Sequence, residues 1–378
     1  MIDADVLIIG GGIAGAAAAY EIAAFASVIV LERESHCGYH STGRSAATFS
    51  ENYGSAVVRR LAIASREFLD RPPPGFCEHA LLTPQASITI ARSDQLEMLA
   101  QQLDQGRRLV PSIERMAVAD AVSWVPVLKS DYVADAYIEP HSMEIDVHGL
   151  HQGFLKGAKA RGARVVIDAG VETLERLGER WVAALTAGAY RAPLIINAAG
   201  AWADVVAEMA GAQPLGLVPK RRTAFHVALP PGLDARGWPM VDDVGEEFYF
   251  KPDAGRLFVS PADATASPPV DAYPEDLDVA AGVERLERAT TLNVNHVTRS
   301  WAGLRTFADD GSPVVGLDDR IDGFCWLAGQ GGYGIKTSPA LARACADLIR
   351  GRPLPDELTR LGLSANDLSP ARLRRPTA

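Results

Sequence analysis

A glycine-rich turn between two apolar segments constrains the fold more than any other feature of the sequence. Residues 5–9 are a short apolar run of the kind buried in parallel sheets, and they lead into Gly10-Gly-Gly-Ile-Ala-Gly15. Residues 16–24 are rich in alanine and predict a helix, and residues 27–31 predict a second strand that ends at Glu32. This order is a βαβ unit, which predicts an α/β fold with a parallel sheet.

Three glycines and one acid in this unit have the spacing of a dinucleotide-binding site. Gly10 permits a tight turn, Gly12 allows the backbone to approach a pyrophosphate, and Gly15 allows the helix to pack against the strand. The helix N-terminus supplies amide N–H groups and a positive dipole for the phosphates. Glu32 follows Gly15 by 17 residues and can accept hydrogen bonds from a ribose. The unit therefore predicts a dinucleotide site, and both NAD and FAD fit it.

Composition excludes several classes of protein. The chain has 378 residues, of which 48% are hydrophobic and 22% charged, a mixture typical of a globular protein large enough for two domains. A formal net charge of −10 argues against a general nucleic-acid-binding protein, which needs a basic face. The most apolar segment, residues 6–20, is too short to span a membrane. The four widely spaced cysteines have no metal-binding pattern and indicate reduced thiols in a cytoplasmic protein without a metal.

The rest of the chain mixes α/β segments with β-rich blocks. Buried strands are predicted at residues 194–200 and 323–328, and a final helix at residues 338–350. Alternation of apolar and polar residues predicts antiparallel strands within residues 220–259 and one strand over residues 81–92. The sequence therefore predicts an α/β (α+β) protein of two discontinuous domains. A nucleotide-binding domain is expected over residues 1–80, 141–216 and 308–378, and a β-rich domain over residues 81–140 and 217–307.

Five further segments carry a resemblance to a known family. They are Ser41-Thr-Gly-Arg-Ser-Ala-Ala47, Pro219-Lys-Arg-Arg222, Phe248-Tyr249, Trp301-Ala-Gly-Leu-Arg305 and Gln330-Gly-Gly-Tyr-Gly334. With the glycine turn, they resemble the D-amino-acid oxidase family of FAD enzymes, in particular its members similar to bacterial D-arginine dehydrogenase. The resemblance implies a Rossmann-type FAD-binding domain of the glutathione-reductase-like kind and an antiparallel, β-rich substrate domain. It also implies oxidation of D-amino acids by hydride transfer from Cα to the flavin, giving an imine and then a 2-oxo acid and ammonia.

The resemblance also implies which residues contact FAD. In residues 41–47, small side chains and hydroxyls allow close backbone approach, and Arg44 adds a cation near the phosphates. A second glycine turn, residues 329–334, lacks the following strand and acid of a nucleotide site, so we expect it to direct backbone N–H groups at the flavin ring. Thr337 is expected to donate a hydrogen bond to that ring. The expected cofactor contacts are Gly10, Gly12, Ile13, Ala14, Gly15, Glu32, Arg33, Thr42, Gly43, Arg44, Ser45, Ala46, Ala47, Val171, Ala199, Gly200, Trp202, Gly303, Arg305, Gly331, Gly332, Tyr333, Gly334, Ile335 and Thr337.

Two arginines and two tyrosines are the candidates for substrate binding and catalysis. An arginine fork binds a carboxylate bidentately, and the resemblance implies this role for Arg222 and Arg305. Tyr249 is expected to add a phenol hydrogen bond to the carboxylate, and Tyr53 to close over the substrate and exclude water. Arg221 should face the opposite side of its strand and be structural. The expected substrate contacts are Tyr53, Ser87, Arg222, Tyr249, Arg305 and Gly332.

The sequence departs from the resembled enzymes in the strand around Ser87. Those enzymes carry an acid there that can meet a cationic side chain, whereas residues 81–88 contain none. A buried guanidinium without a partner is costly, and Glu51 or Glu246 could substitute for the missing acid. A neutral or apolar D-amino acid is therefore at least as good a candidate substrate as D-arginine.

Two absences bear on the electron acceptor. Related sarcosine-oxidase-like enzymes use a lysine that faces the flavin and attach the flavin through a cysteine, but residues 256–259 and 306–310 contain neither. Both absences favour a dehydrogenase with non-covalent FAD that passes electrons to a quinone or a carrier. The alternatives are an oxygen-using amine oxidase of the glycine and sarcosine type, and a flavin-binding subunit without turnover of its own. The two arginines argue against the subunit, which needs no carboxylate clamp.

Overall fold

The computed structural model describes residues 1–374, so that residues 375–378 of the first expected domain lie outside the described part. The α-helices are α1 (Ile13–Ile22), α2 (Ala56–Asp70), α3 (Leu96–Arg107), α4 (Val118–Trp124), α5 (Val147–Ala160), α6 (Ala203–Met209), α7 (Asp276–Ala289), α8 (Gly334–Leu348) and α9 (Asp356–Arg360). The strands before residue 200 are β1 (Ile2–Asp3), β2 (Val6–Ile9), β3 (Val28–Leu31), β4 (Thr48–Phe49), β5 (Leu82–Pro84), β6 (Ser87–Ala91), β7 (Glu114–Met116), β8 (Asp135–Glu139), β9 (Met143–Ile145), β10 (Arg164–Val166), β11 (Thr173–Leu177), β12 (Arg180–Leu185), β13 (Gly188–Ala192) and β14 (Leu194–Asn197). The later strands are β15 (Val218–Ala228), β16 (Met240–Asp243), β17 (Tyr249–Asp253), β18 (Arg256–Ser260), β19 (Thr265–Ala266), β20 (Val297–Phe307), β21 (Val314–Leu317), β22 (Phe324–Ala328) and β23 (Gln330–Gly331). Within residues 1–374, no helix has both the length and the apolar character required to cross a membrane.

A six-stranded sheet carries the glycine turn. Its strands are ordered β10-β3-β2-β14-β22-β21, and every neighbouring pair is parallel except β21 with β22. Strands β2 and β3 are buried along their whole length, because both faces of this sheet are covered. Burial on both faces is the reason that each strand is a continuous apolar run. The predicted βαβ unit and α/β class are confirmed.

The two faces of this sheet are covered by different layers. Helix α1 packs against α5 and α8 on one face, where its run of alanines lets the helices approach closely. A four-stranded sheet, ordered β1-β13-β12-β11, covers the other face together with α6. Trp181, Phe324 and Trp326 fill the space between the two sheets and are almost fully buried.

A ten-stranded sheet forms the second large layer. Its main path is β23-β20-β15-β18-β17-β16-β6-β8-β7, with β19 paired to β15, and it is antiparallel except where β16 meets β6. Ile88, Val241 and Phe250 point to one face, in the same core as α7, while their neighbours along each strand point to the other. All its strands except β23 lie within residues 87–139 or 218–307. These ranges suit the expected division into two domains, which we keep as a proposal.

Two expected elements differ in the structure. The single strand expected over residues 81–92 is divided into β5 and β6, which belong to different sheets. The helix expected from residue 338 begins one turn earlier, at Gly334, and α9 follows it. Pro339 has no N–H for the Ile335 carbonyl, but the Ser338 hydroxyl donates to that oxygen at 2.9 Å, so the helix extends upstream of the proline.

Candidate active site

A cavity of about 1000 Å³ lies between the six-stranded and the ten-stranded sheets. One end is bordered by the glycine turn and by the residues that follow β3 and β10. The other end is bordered by side chains of β6, β8, β16 and β17, and the first turn of α8 lines the middle. Most of the residues expected to bind the cofactor, and all of those expected to bind the substrate, therefore border one continuous space.

The glycine turn has the geometry that close approach of a phosphate requires. Gly10 has a φ of +107°, and a Cβ there would lie 2.5 Å from the Ala198 carbonyl oxygen. A Cβ on Gly15 would lie 1.9 Å from the Gly10 carbonyl oxygen, so only glycine lets α1 begin this close to β2. The N–H groups of Gly12 and Ala14 have no partner within residues 1–374, and both residues border the cavity. Free donors at a helix N-terminus suit a pyrophosphate.

Glu32 holds the glycine turn from the end of β3. Its Oε2 accepts from the Gly11 N–H at 2.8 Å, and its Oε1 accepts from the Glu34 N–H at 2.9 Å. Each carboxylate oxygen keeps a second lone pair, and Glu32 borders the cavity. The carboxylate can therefore hold the turn and also accept a hydrogen bond from a ribose hydroxyl.

Residues 168–170 line this end of the cavity beside the expected Val171, and sequence reasoning missed them. They follow β10, which pairs in parallel with β3, so the carboxyl ends of both strands meet at one edge of the sheet. The apolar run over residues 164–167 was the signal that could have located them. The Arg33 guanidinium lies 4.8 Å from the centre of the Trp202 ring, and both of these expected residues border the cavity.

Arg44, which was expected to add a cation near the phosphates, is paired with an acid of the chain. Its guanidinium forms an ion pair with Asp271 at 2.6 Å and donates to the carbonyl oxygens of Ala272 and Ala302 at 2.9 and 3.0 Å. Since Ala302 belongs to β20, these bonds attach residues 41–47 to the ten-stranded sheet. Arg44 still borders the cavity, but its charge is committed to protein partners.

Three of the expected cofactor residues, unlike Arg44, do not border the cavity. Gly15 is covered by the glycine turn, and a Cβ on Gly43 would lie 2.8 Å from the Gly38 carbonyl oxygen, so both glycines allow close backbone packing instead. Thr337 is 1% exposed, and its hydroxyl donates to the Tyr333 carbonyl oxygen at 2.9 Å, which leaves no hydrogen for a flavin. The other expected cofactor residues all border the cavity.

Arg222 and Arg305 direct two guanidinium groups toward the cavity from adjacent strands. Arg222 on β15 lies opposite Gly303 on β20, two residues before Arg305, so the two arginines share one face of the sheet. Arg305 donates to the Tyr249 hydroxyl at 3.2 Å. Within residues 1–374, Arg222 has no ion pair or hydrogen bond, and its Nε is buried. Such cations are costly to bury unless an anion binds beside them.

Arg221 points to the opposite face, as strand alternation predicts. Its guanidinium pairs with Glu275 and donates to Asp278 at 2.8 Å. The adjacent residues Arg221 and Arg222 thus have different surroundings, because Arg221 pairs with acids of the protein and Arg222 borders the cavity.

Tyr53 lies in a loop that two buried charged groups hold in place. The loop, residues 50–54, brings Tyr53 to the cavity, where the residue stays 38% exposed. Lys336 Nζ donates to the carbonyl oxygens of Ser50 and Tyr53 at 2.6 and 2.7 Å. Glu139 accepts from the Ser50 hydroxyl at 2.7 Å and from the Glu51 N–H at 2.9 Å. The position of Tyr53 therefore depends on both groups.

Lys336 is a cavity residue that sequence reasoning missed. It lies in the first turn of α8, is 3% exposed and borders the cavity. Burial lowers its pKa to about 7, although the nearby Glu139 carboxylate opposes the shift. Burial also raises the pKa of Glu139. A single lysine directly after the second glycine turn, at the start of an apolar helix, was the available signal.

An acid does face the substrate end of the cavity, but it comes from a different strand. Ser87 on β6 donates to Asp242 Oδ2 at 2.6 Å, and both residues border the cavity. Burial raises the pKa of Asp242 to about 7, although the bond from Ser87 favours the ionised form. Of the two acids considered as substitutes, Glu246 borders the cavity, whereas Glu51 does not and lies 3.8 Å from Arg66.

The strand considered for a flavin-facing lysine, β18, contains none. Its neighbour β17 carries Lys251, which is 3% exposed and paired with Glu144 at 2.5 Å. Lys251 borders a separate cavity of about 510 Å³ next to residues 43–47, and it does not border the main cavity. Its ammonium is therefore committed to a carboxylate outside the candidate site.

Comparisons with known proteins extend this description. The family described as "FAD dependent oxidoreductase" (DAO) matches residues 5–348. Glycine oxidase of Geobacillus kaustophilus is 24% identical over 380 residues, which cover 95% of this chain and 96% of that protein. Mitochondrial sarcosine dehydrogenase of Homo sapiens is 24% identical over 380 residues, which cover 93% of this chain but 40% of that protein. Among solved structures, L-proline dehydrogenase from P. horikoshii has a TM-score of 0.84 at 20% identity, over 98% of both chains.

The family match over residues 5–348 covers most of the chain and therefore establishes its family. The similarity to L-proline dehydrogenase establishes the fold alone. FAD is the cofactor, and free N–H donors at the start of α1, the Glu32 carboxylate and the close backbone at Gly10 fit its phosphates and ribose. The resemblance to the family is confirmed, although these relatives do not single out its members similar to D-arginine dehydrogenase. The chain belongs to the DAO family of FAD-dependent oxidoreductases.

Proposed function

We propose that this enzyme oxidises free amino acids at Cα. The observation that carries the proposal is the pair of Arg222 and Arg305, which share one face of the sheet and have no carboxylate partner within residues 1–374. Such a pair suits the carboxylate of an amino acid, because guanidinium groups match both carboxylate oxygens in geometry and charge. Tyr249 accepts from Arg305, so its own hydroxyl hydrogen is available to the same carboxylate.

The residues of the chain would act mainly by orienting the substrate. Bound FAD would supply a two-electron acceptor for the Cα hydride of a substrate whose amine is neutral, and water would convert the resulting imine to a 2-oxo acid and ammonia. Arg222, Arg305 and Tyr249 hold the carboxylate and thereby position Cα. Tyr53 lies where it can close the cavity and exclude water. The N-terminus of α8, at Gly334, borders the cavity and favours negative charge there.

We further propose that the substrate has a side chain and the D configuration. Beyond Tyr249 the cavity is bordered by Ser87, Thr89 and Tyr137, which leaves space that glycine would not fill. The D configuration rests on the sequence segments that resemble D-amino-acid-oxidising enzymes. The competing candidate is oxidation of glycine or of an N-methylated amine, and the names of the similar glycine oxidase and sarcosine dehydrogenase favour it.

We propose a dehydrogenase with non-covalent FAD that transfers electrons to a quinone or a carrier. Residues 306–310 contain no cysteine for attachment of the flavin, and β18 contains no lysine. Lys251, on the neighbouring strand, is committed to Glu144. The four cysteines are free thiols, which suits a reducing compartment such as the cytoplasm.

The test is reduction of the flavin in the purified holoenzyme without oxygen, followed by admission of air. The panel contains D- and L-amino acids, glycine and sarcosine. We expect D-amino acids to bleach the flavin, with slow recovery in air. Bleaching by glycine or sarcosine with rapid recovery would instead support the oxidase. Bleaching by no member of the panel would contradict amino-acid oxidation and favour a flavin-binding subunit.

A further inference from the structure

Side chains that face the cavity form a row across the ten-stranded sheet. Asp242 on β16 lies directly opposite Tyr249 on β17, so their side chains share a face with Cβ atoms about 5 Å apart. Thr89 on β6 pairs with Asp242, and Ser87 lies two residues before Thr89 on the same face. Ser87 in turn lies opposite Glu139 on β8. The row therefore leads from the arginine pair and its tyrosine to a group of acids.

Asp242 is an acid of this row with an oxygen available to a ligand. Its Oδ2 accepts from the Ser87 hydroxyl at 2.6 Å, whereas its Oδ1 has no partner within residues 1–374. The carboxylate of Glu139 is already committed to donors of residues 50–54. Asp243 points to the other face of β16 and forms its hydrogen bonds there. The open oxygen in the middle of the row thus belongs to Asp242.

No cation of the described chain neutralises Asp242. Its carboxylate has no ion pair within residues 1–374, and the nearby carboxylates of Glu139, Glu246 and Asp243 help to raise its pKa. A buried acid among acids is costly, and the cost falls when a cation occupies the adjacent space. The same reasoning assigned an anion to the arginine pair. The arginine pair and Asp242 therefore favour ligand groups of opposite charge.

We propose that Asp242, oriented by Ser87, binds the cationic end of a substrate side chain, so that the preferred substrates are basic amino acids. The inference rests on the proposed function, because the arginine pair must fix the carboxylate at the other part of the row. A side chain that extends along the row from Tyr249 reaches the open oxygen of Asp242. An ammonium and a guanidinium both suit a carboxylate with one open oxygen, and the experiment separates them.

This arrangement reverses the expectation that followed from Ser87. The strand β6 indeed lacks an acid, but the small side chain of Ser87 leaves room for the carboxylate of Asp242 from the adjacent strand and donates to it. A neutral side chain would leave Asp242 desolvated and without a partner, which disfavours binding. The charge balance of the site thus depends on two adjacent strands together.

The first experiment compares matched substrates on the unmodified holoenzyme. D-Lysine is paired with D-norleucine and D-arginine with D-citrulline, because the members of each pair are similar in shape and differ in charge. The rate of flavin reduction without oxygen is measured against substrate concentration. We expect kcat/KM for each basic member to exceed that of its neutral partner by about 100-fold. The ratio of D-lysine to D-arginine shows whether an ammonium or a guanidinium fits better.

The second experiment tests whether Asp242 is responsible for the preference for basic over neutral substrates. Asp242→Asn should lower kcat/KM for the basic substrates by about 50-fold and for the neutral ones by less than about 3-fold. Ser87→Ala should lower the preference by about 5-fold, since it removes the bond that orients the carboxylate. Asp120→Asn is the control, because Asp120 is an exposed acid of α4 that does not border the cavity, and it should leave the ratio of basic to neutral substrates unchanged.

The outcomes separate this inference from the proposed function. Equal rates for both members of each pair on the unmodified enzyme would overturn the inference alone, since amino acids would still reduce the flavin. Failure of every amino acid would contradict the proposed function itself. Equal losses for basic and neutral substrates in Asp242→Asn would also overturn the inference, and would place Asp242 at the α-amine instead.

Discussion

At the scale of single residues, the candidate site is built from charged groups that have no protein partner of opposite charge. Arg222 and Arg305 face the cavity without a carboxylate, and Asp242 faces it without a cation, all within residues 1–374. A chain selected for stability alone would pair or expose such groups. Their cost in the free chain is the physical reason to expect ligand groups of matching charge.

Arg305→Met tests the carboxylate clamp. The substitution removes a charged donor from the substrate and from Tyr249, so we expect kcat/KM to fall by about 1000-fold while FAD stays bound. The kinetics of flavin reduction and the ratio of flavin to protein absorbance measure the two effects. Arg221→Met is the matched control, since Arg221 pairs with acids on the opposite face and should leave kcat/KM unchanged. Loss of FAD from Arg305→Met would show that this residue serves the cofactor.

Asp242 should make the stability of the holoenzyme depend on pH. Burial raises its pKa from the ordinary value of 3.8 to about 7 in the folded chain. The folded state then binds more protons than the unfolded state between about pH 4 and pH 7, so the free energy of unfolding falls as pH rises through this window. Asp242→Asn should therefore raise the free energy of unfolding by about 1–3 kcal/mol at pH 8 and change it little at pH 4. Denaturant titrations at both pH values measure this, and a larger gain at pH 4 would contradict it.

At the scale of secondary structure, α8 connects the cofactor end of the cavity to the substrate end. The second glycine turn precedes it, its first residues border the cavity, and its Lys336 bonds the loop that carries Tyr53. The helix begins before Pro339 because the Ser338 hydroxyl takes the carbonyl that the proline leaves free. That additional turn is what brings Lys336 into the helix and toward the loop.

Lys336→Met tests this connection. The substitution leaves the carbonyl oxygens of Ser50 and Tyr53 without their donor, so the loop of residues 50–54 should open more often. We expect KM to rise by about 10-fold and amide hydrogen exchange of the loop to accelerate, while FAD stays bound. Lys156→Met, on the exposed side of α5, is the control. Unchanged exchange in the loop would show that Lys336 does not hold Tyr53 in place.

At the scale of the whole molecule, the cavity exists only because distant parts of the chain meet. Residues 41–47 follow the first βαβ unit, yet Arg44 attaches them to Asp271 and to Ala302 of the ten-stranded sheet. FAD should therefore contact parts of both large sheets at once. A ligand that binds only the folded chain adds its binding free energy to the stability of the fold.

Removal of FAD should lower the stability of the entire chain. At a free FAD concentration about 1000 times its Kd, the cofactor adds about 4 kcal/mol to the free energy of unfolding. Glu32→Ala should reduce this gain and let FAD escape during gel filtration, because Glu32 holds the glycine turn and faces the cavity. The measurement is the difference in Tm between protein with and without added FAD. Glu179→Ala, at the exposed tip of the β11–β12 hairpin, is the control, and an equal gain in both variants would exclude a role for Glu32.

Much of the fold and part of the candidate site follow from short-range patterns. The order of apolar run, glycine turn, alanine-rich helix and second run predicts the βαβ unit, because each element is encoded by neighbouring residues. Alternation along one strand separates Arg221 from Arg222 without knowledge of any partner. In contrast, the resemblance assigned Thr337 to the flavin, whereas in the structure α8 already begins at Gly334 and the Thr337 hydroxyl donates to the Tyr333 carbonyl oxygen.

The sequence by itself thus determined the βαβ unit and the glycine geometry at the dinucleotide site, and it identified Arg222 and Arg305 as candidates for the proposed carboxylate clamp. Only the tertiary structure decided which charged side chains pair with a group of the protein and which face the cavity without such a partner. Ser87 and Asp242 form a hydrogen bond although they lie 155 residues apart in the chain, and Lys336 and Ser50 do so at a separation of 286 residues. The physical reason is that the pairing of β6 with β16 and the position of α8 are non-local. A hydrogen bond between distant residues has no periodic signature along the chain, although it sets the charge that a ligand encounters.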